Sequence, residues 1–300
     1  MLFVLAFDHR NSFRTEFLGL RGQETDADRE RARAAKAIAL DGLLAALPLP
    51  EGEPAMLVDD EYGREVAVRA RDNGVAVGIP VERSGQVELA FEHEPFTDPL
   101  ERLRPAWAKA LVRYNPEGDR ARNERQRQRL LDVQRWCDAS GTGFMLELLV
   151  PPEEGQAPDG RAAYDRDTRP ALTVAAVTEM SADGIAPGLW KLEGMEAGAD
   201  YAAVAAEVRR SGRSDAGCVV LGRGADKASV DRWLALAAPV DGFVGFAVGR
   251  TLWWDALRGW LDGTHGREDA VALIAASYRR LVDHYLAARD RRAPDAGRRR

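Results

Sequence analysis

Lysine is scarce in this 300-residue sequence: of 42 basic residues only four are lysines, Lys36, Lys109, Lys191 and Lys227. Chemistry that needs a primary amine therefore has four candidates. Cysteine is rarer still. Cys137 and Cys218 lie far apart in apolar strings, which speaks against a disulfide framework or a clustered thiolate site and leaves both expected reduced and buried. Positive charge is not in excess: a formal charge of −6 and a pI near 5.5 give no basis for holding nucleic acid, whose phosphates require a positive face. With 45 % apolar and 30 % charged residues the composition is that of a globular rather than a membrane-embedded chain. The apolar start Leu2 to Phe7 lacks a basic flank and runs into Asp8-His9-Arg10, so it reads as a strand, not a targeting segment. The expectation is a cytoplasmic protein that acts on a small molecule, without nucleic acid or membrane as partner; a homo-oligomer is compatible with all of this.

Motifs of several enzyme classes are missing as well. No Gly-x-Gly-x-x-Gly follows Phe7, which argues against an open dinucleotide-binding sheet. His9, His93, His265 and His284 show no His-x-x-x-His spacing, and no Gly-x-Ser-x-Gly occurs, so neither a zinc enzyme nor a nucleophile-elbow hydrolase is indicated. No metal or organic cofactor is expected, although Asp59-Asp60-Glu61 offers oxygen ligands.

What is present is alternation. Eight apolar runs of strand length occur at Leu2 to Phe7, Ala55 to Asp59, Val75 to Ile79, Lys109 to Arg113, Phe144 to Leu149, Leu189 to Leu192, Cys218 to Leu221 and Phe243 to Phe246. Helical stretches separate them: Asp26 to Leu47, Glu65 to Asp72, Asp119 to Asp138, Arg169 to Ser181, Asp200 to Ser211 and Lys227 to Ala237. Strands joined by crossover helices form a parallel sheet, and eight such units predict a single closed (β/α)8 TIM barrel over residues 1–288, with 289–300 as a disordered basic tail. Two connections after strands are long, Pro80 to Pro105 and Pro151 to Thr168; the second is either a substrate lid or a solvated loop.

In such a barrel the chemistry sits at the C-terminal strand ends, so charges inside or just after apolar runs single out candidates. They are Asp8 after the first run, Asp59-Asp60-Glu61 after the second, Lys109 and Arg113 in the fourth, Glu147 in the fifth, and Lys191 with Glu193 at the sixth. Period-two alternation puts Lys109 with Arg113, Glu147 with Met145, and Lys191 with Leu189 on single faces. If Phe144, Leu146, Leu148 and Trp190 pack outward on the helices, these charges converge inside the barrel. A lysine so placed loses hydration and feels a neighbouring cation, both of which favour the neutral amine that attacks carbonyls. Lys191 is the candidate nucleophile, against the plainer reading of an ion pair with Glu147 or Glu193. Lys36, in a helix with Arg31 and Arg33, and Lys227 are expected at the surface. Gly222-Arg223-Gly224 and Gly249-Arg250 end the last two strands, where barrels commonly hold a phosphate on backbone N–H groups.

The segments FDHRNSF (7–13), LVDDEYG (57–63), KALVRYNP (109–116), MLELLVP (145–151), LWKLEG (189–194) and GFVGFAVGRTLWWD (242–255) resemble the class I tagatose-1,6-bisphosphate aldolases. They resemble more closely the aldolase-like domain fused to 5-dehydro-2-deoxygluconokinase of myo-inositol catabolism. The resemblance implies Lys191 as the Schiff-base residue, Asp8, Lys109 and Glu147 at polar active-site positions, and Gly249-Arg250 at the phosphate. It implies 2-deoxy-5-keto-gluconate 6-phosphate as substrate, cleaved to dihydroxyacetone phosphate and malonate semialdehyde, with Arg10, Arg113 or Arg223 meeting the carboxylate. The alternatives are a ketose bisphosphate, disfavoured by Gly222-Arg223-Gly224 at the strand-seven end, or a sugar-phosphate-binding barrel without catalysis.

Overall fold

The computed structural model describes residues 1–291. Eight strands, β1 (Leu2–Phe7), β2 (Glu53–Val58), β3 (Ala76–Pro80), β4 (Trp107–Arg113), β5 (Gly143–Leu149), β6 (Leu189–Glu193), β7 (Gly217–Leu221) and β8 (Phe243–Val248), pair in parallel and in sequence order. Strand β8 returns to β1 and closes the barrel, as expected. Closure brings two backbones close: a Cβ on Gly245 would stand 1.8 Å from the Leu2 carbonyl oxygen, so only glycine fits there.

The helices are α1 (Asp26–Ala45), α2 (Asp60–Asp72), α3 (Asp98–Leu103), α4 (Arg120–Ser140), α5 (Arg161–Ala163), α6 (Arg169–Ala182), α7 (Gly198–Ser211), α8 (Lys227–Ala237), α9 (Arg250–Leu261) and α10 (Arg267–Asp290). Local chemistry sets their starts. Thr25 and Asp28 form a reciprocal capping box on α1, and Asp59, Asp119 and Asp226 cap α2, α4 and α8. The Asp59 cap, accepting from Tyr62 N at 2.8 Å, starts α2 at Asp60, five residues before the expected Glu65. Helix α3 lies inside the Pro80 to Pro105 connection and was not anticipated.

The strands divide their side chains between two cores. Leu2, Val4, Ala6, Ala55, Leu57, Met145, Leu189, Val219 and Ala247 fill the barrel interior. Phe144, Leu146, Leu148, Trp190 and Leu192 pack outward in the core shared with the helices. Lys109, Glu147 and Lys191 follow the interior residues Trp107, Met145 and Leu189 by two positions and so point inward one layer higher. Helix α10 is fastened to the barrel by buried tyrosines, Tyr278 donating to Phe3 O at 2.6 Å and Tyr285 to Phe243 O at 2.9 Å. It runs to Asp290, so Arg289 and Asp290 are helical; the expected tail from 292 onward lies outside the described residues. No helix among the described residues is long and apolar enough to cross a membrane.

Candidate active site

A cavity of about 390 Å³ opens at the C-terminal ends of the strands. Ten of the residues singled out from the sequence line it: Asp8, Arg10, Lys109, Arg113, Glu147, Lys191, Gly222, Arg223, Gly249 and Arg250; the strand-end candidates Asp59, Asp60, Glu61 and Glu193 do not. His9, Glu82, Arg83 and Ser84 line it too, at positions that no strand-run anomaly in the sequence marks as part of a site.

The barrel register explains the contacts at its floor. Glu147 on β5 stands level with Lys191 on β6, and Lys191 Nζ lies 2.9 Å from Glu147 Oε2. Lys109, from β4, reaches the same oxygen at 2.8 Å and also lies 2.8 Å from Asp8 Oδ2 and 2.8 Å from Glu82 Oε1. Glu82 spends its second oxygen on the Leu111 N–H at 3.1 Å. Both lysines are buried, Lys191 5 % and Lys109 2 % exposed, and desolvated charges of this kind persist only when paired. Glu193, the other partner considered for Lys191, turns instead to the Val150 N–H at 2.9 Å and to Arg223 at 3.2 Å.

The two lysines are therefore unequal. Burial alone would lower the Lys109 pKa, but Asp8, Glu147 and Glu82 outweigh it and hold the ammonium well above its ordinary value. Burial would likewise raise Asp8 and Glu147, and the charges of Lys109 and Lys191 override it, keeping both carboxyls below their usual range. Glu82 goes the other way: burial raises it, and Lys109 and Arg10 offset this only in part. His9 is pushed down to about 4, chiefly by burial, so its ring is neutral near pH 7. Its buried Nδ1 has no hydrogen-bond partner among the described residues, and the ring packs edge-on to Trp253.

At the far side of the mouth, α9 begins at Arg250 with Gly249 before it, and the first N–H groups of a helix have no internal acceptor. Arg250 Nη2 donates to Arg223 O at 3.3 Å, Nη1 lies 3.6 Å from Glu16, and the buried Nε has no hydrogen-bond partner among the described residues. Its guanidinium occupies the space a Cβ on Gly224 would need, at a residue whose φ is +70°. Arg223 is drawn aside to Asp165 at 2.8 Å, and Arg10 to the Glu82 carbonyl and Glu92. Arg113 donates to Gln86 O at 2.7 Å. The Pro151 to Thr168 connection is tied down in its second half: α5 leads into a π-helical turn, Tyr164–Thr168, where Tyr164 donates to Val150 O at 3.0 Å and Asp165 meets Arg223 and Arg169.

One expectation is overturned. Lys36 is not at the surface but fully buried, its Nζ 2.5 Å from Asp59 Oδ2 and donating to Phe7 O at 2.6 Å and His9 O at 3.2 Å. It also sits 4.3 Å from the Phe7 ring centroid. The pair grips the backbone on either side of Asp8. Lys227 is exposed, as expected. Asp60 is occupied by Arg64 and Arg102.

Fold and site together define a single (β/α)8 barrel whose interior holds a lysine–carboxylate cluster beneath a glycine–arginine rim. The chain belongs to the family described as uncharacterized protein conserved in bacteria (DUF2090), the match spanning residues 1–289. No curated protein matches the sequence at a significant level. Solved structures of the same fold include a fructose-bisphosphate aldolase from Plasmodium falciparum in complex with TRAP and an inhibitor (12 % identity, 94 % of this chain and 90 % of that one, TM-score 0.65). Another is a Schiff-base-forming fructose-1,6-bisphosphate aldolase (13 % identity, 94 % and 92 %, TM-score 0.56). A third is an archaeal fructose-1,6-bisphosphate aldolase with its catalytic lysine bound to a carbinolamine intermediate (12 % identity, 95 % and 93 %, TM-score 0.58). At such identities the likeness is one of fold.

Proposed function

We propose that this protein is a class I, Schiff-base aldolase of a phosphorylated keto sugar acid, 2-deoxy-5-keto-gluconate 6-phosphate, with Lys191 as nucleophile. The observation that carries the reading is the buried Lys191 amine 2.9 Å from Glu147, beside a second lysine, Lys109, held cationic by three carboxylates. An ammonium so enclosed is a fixed charge, which leaves Lys191 as the amine available to react. The barrel shared with Schiff-base-forming aldolases supports the reading.

Lys191 Nζ adds to the C5 ketone and loss of one water gives the iminium. Glu147 takes the proton of the C3 hydroxyl as the C3–C4 bond breaks. The electron pair of that bond moves into the iminium, leaving an enamine, and C3 departs as the aldehyde of malonate semialdehyde. Protonation at C4 and hydrolysis release dihydroxyacetone phosphate and restore the amine. Asp8 and Lys109 orient the hydroxyls and polarise the reacting centre, and Gly249 with Arg250 receives the phosphate. Borohydride reduction in the presence of dihydroxyacetone phosphate, followed by peptide mass mapping, tests this. A reduced adduct on Lys191 is expected; an adduct on Lys109 moves the nucleophile, and no adduct at saturating ligand sinks the Schiff base.

A further inference from the structure

The cations around the cavity divide into two groups. Arg10, Lys109, Lys191, Arg223 and Arg250 each pair with a carboxylate of the protein. Arg83 and Arg113 also line the cavity, yet among the described residues neither makes an ion pair. Glu88, a nearby acid in sequence, is taken by Arg125 and Arg129. Arg113 ends β4 and Arg250 follows β8, four places apart in a closed ring of eight strands, so the two lie on opposite sides of the mouth. The β8 side offers a helix start and glycine turns, where N–H groups can close around the three oxygens of a phosphate. The β3–β4 side offers guanidinium forks, which suit a planar two-oxygen group.

We propose that Arg83 and Arg113 form a second anion subsite, built for the carboxylate at the end of the substrate remote from its phosphate. The proposal deepens the aldolase reading and rests on it for the placement of the phosphate at Gly249-Arg250. It also makes the choice the sequence left open: Arg10 and Arg223 are consumed by internal acids, and Arg113 is not. Two unpaired cations facing one cavity repel each other, and an oxyanion between them relieves that repulsion.

The test is calorimetric titration with three ligands that carry no carbonyl and so form no Schiff base: 6-phosphogluconate, glucitol 6-phosphate and glucitol 1,6-bisphosphate. The wild-type protein is expected to bind 6-phosphogluconate about ten-fold or more tightly than glucitol 6-phosphate, as one to two charge-assisted contacts would give. In R83A/R113A that advantage is lost. Arg83→Gln, at an exposed position, carries the same test should the double variant misfold. Equal wild-type affinities, or an advantage that survives both substitutions, overturns the subsite. A larger gain for the bisphosphate than for 6-phosphogluconate overturns its assignment to a carboxylate. A missing borohydride adduct on Lys191 alongside the expected titrations defeats the aldolase chemistry and leaves the subsite standing.

Discussion

Lys191 and Lys109 share one carboxylate oxygen, Oε2 of Glu147, at 2.9 and 2.8 Å. The sharing is lopsided, because Lys109 holds two further acids and Lys191, among the described residues, holds no other. Substituting either lysine therefore has a different consequence. Lys191→Met removes the proposed nucleophile and is expected to cut turnover by at least about 10⁴-fold and to abolish the borohydride adduct. Lys109→Met removes a fixed charge: turnover is expected to fall about 10²–10³-fold while the adduct on Lys191 still forms. Adduct yields and steady-state rates on both variants check this, and full turnover in K191M refutes the assignment.

The inward placement of this pair was legible because a charge inside an apolar strand run is anomalous, and period-two alternation then says which neighbours it shares. Lys109, Glu147 and Lys191 all announced themselves that way. Glu82 did not, because it stands two residues past β3, in a short bridge to Phe91, where an acid looks unremarkable, and the pairing of β3 with β4, which sets Pro80 level with Lys109, brings it within 2.8 Å of that lysine. The burial of Lys36 is masked in the sequence by Arg31 and Arg33, which make its helix look solvated. The signal that could have found it is the stripe Ala32, Ala35, Ala39 and Leu43, small and apolar at helical spacing, on whose face Lys36 lies. His9 carries no such signal, since its burial against Trp253 depends on a contact between opposite ends of the chain.

The Lys36–Asp59 pair tests how that buried charge is held. Removing one partner leaves the other uncompensated, so Lys36→Met is expected to cost about 3–5 kcal/mol. K36M/D59N is expected to recover part of this, since the amide retains an oxygen to cap Tyr62 N and carries no charge. Urea denaturation of the two variants measures both. A double variant as unstable as K36M contradicts the account.

His9 gives a pH dependence. The unfolded imidazole titrates near 6.5 and the folded one at about 4. Between these values the unfolded chain carries a proton that the folded chain refuses. Stability from this group is therefore complete above pH ~6.5 and declines as pH falls towards ~4, by up to about 1.4 kcal/mol per pH unit. His9→Phe removes the term, so its urea midpoint should fall less steeply than that of the wild type from pH 7 to 4. Parallel curves would show that His9 protonates freely in the fold.

Gly249 tests the phosphate rim. A Cβ there would stand 2.3 Å from the Ala6 carbonyl oxygen and 3.0 Å from His9 Cε1, and a backbone carbonyl cannot swing aside as a side-chain tip can. Gly249→Ala must therefore push the start of α9 away from β1, moving the N–H groups and Arg250 that receive the phosphate. The expected result is a loss of about ten-fold in affinity for dihydroxyacetone phosphate. A stability cost of about 1–3 kcal/mol accompanies it, the usual range for overpacking. Gly188→Ala is the control, since a Cβ at that position meets nothing within 4 Å. Its affinity and stability should match the wild type. If G249A keeps wild-type affinity while losing stability, the rim is a packing contact and the phosphate binds elsewhere.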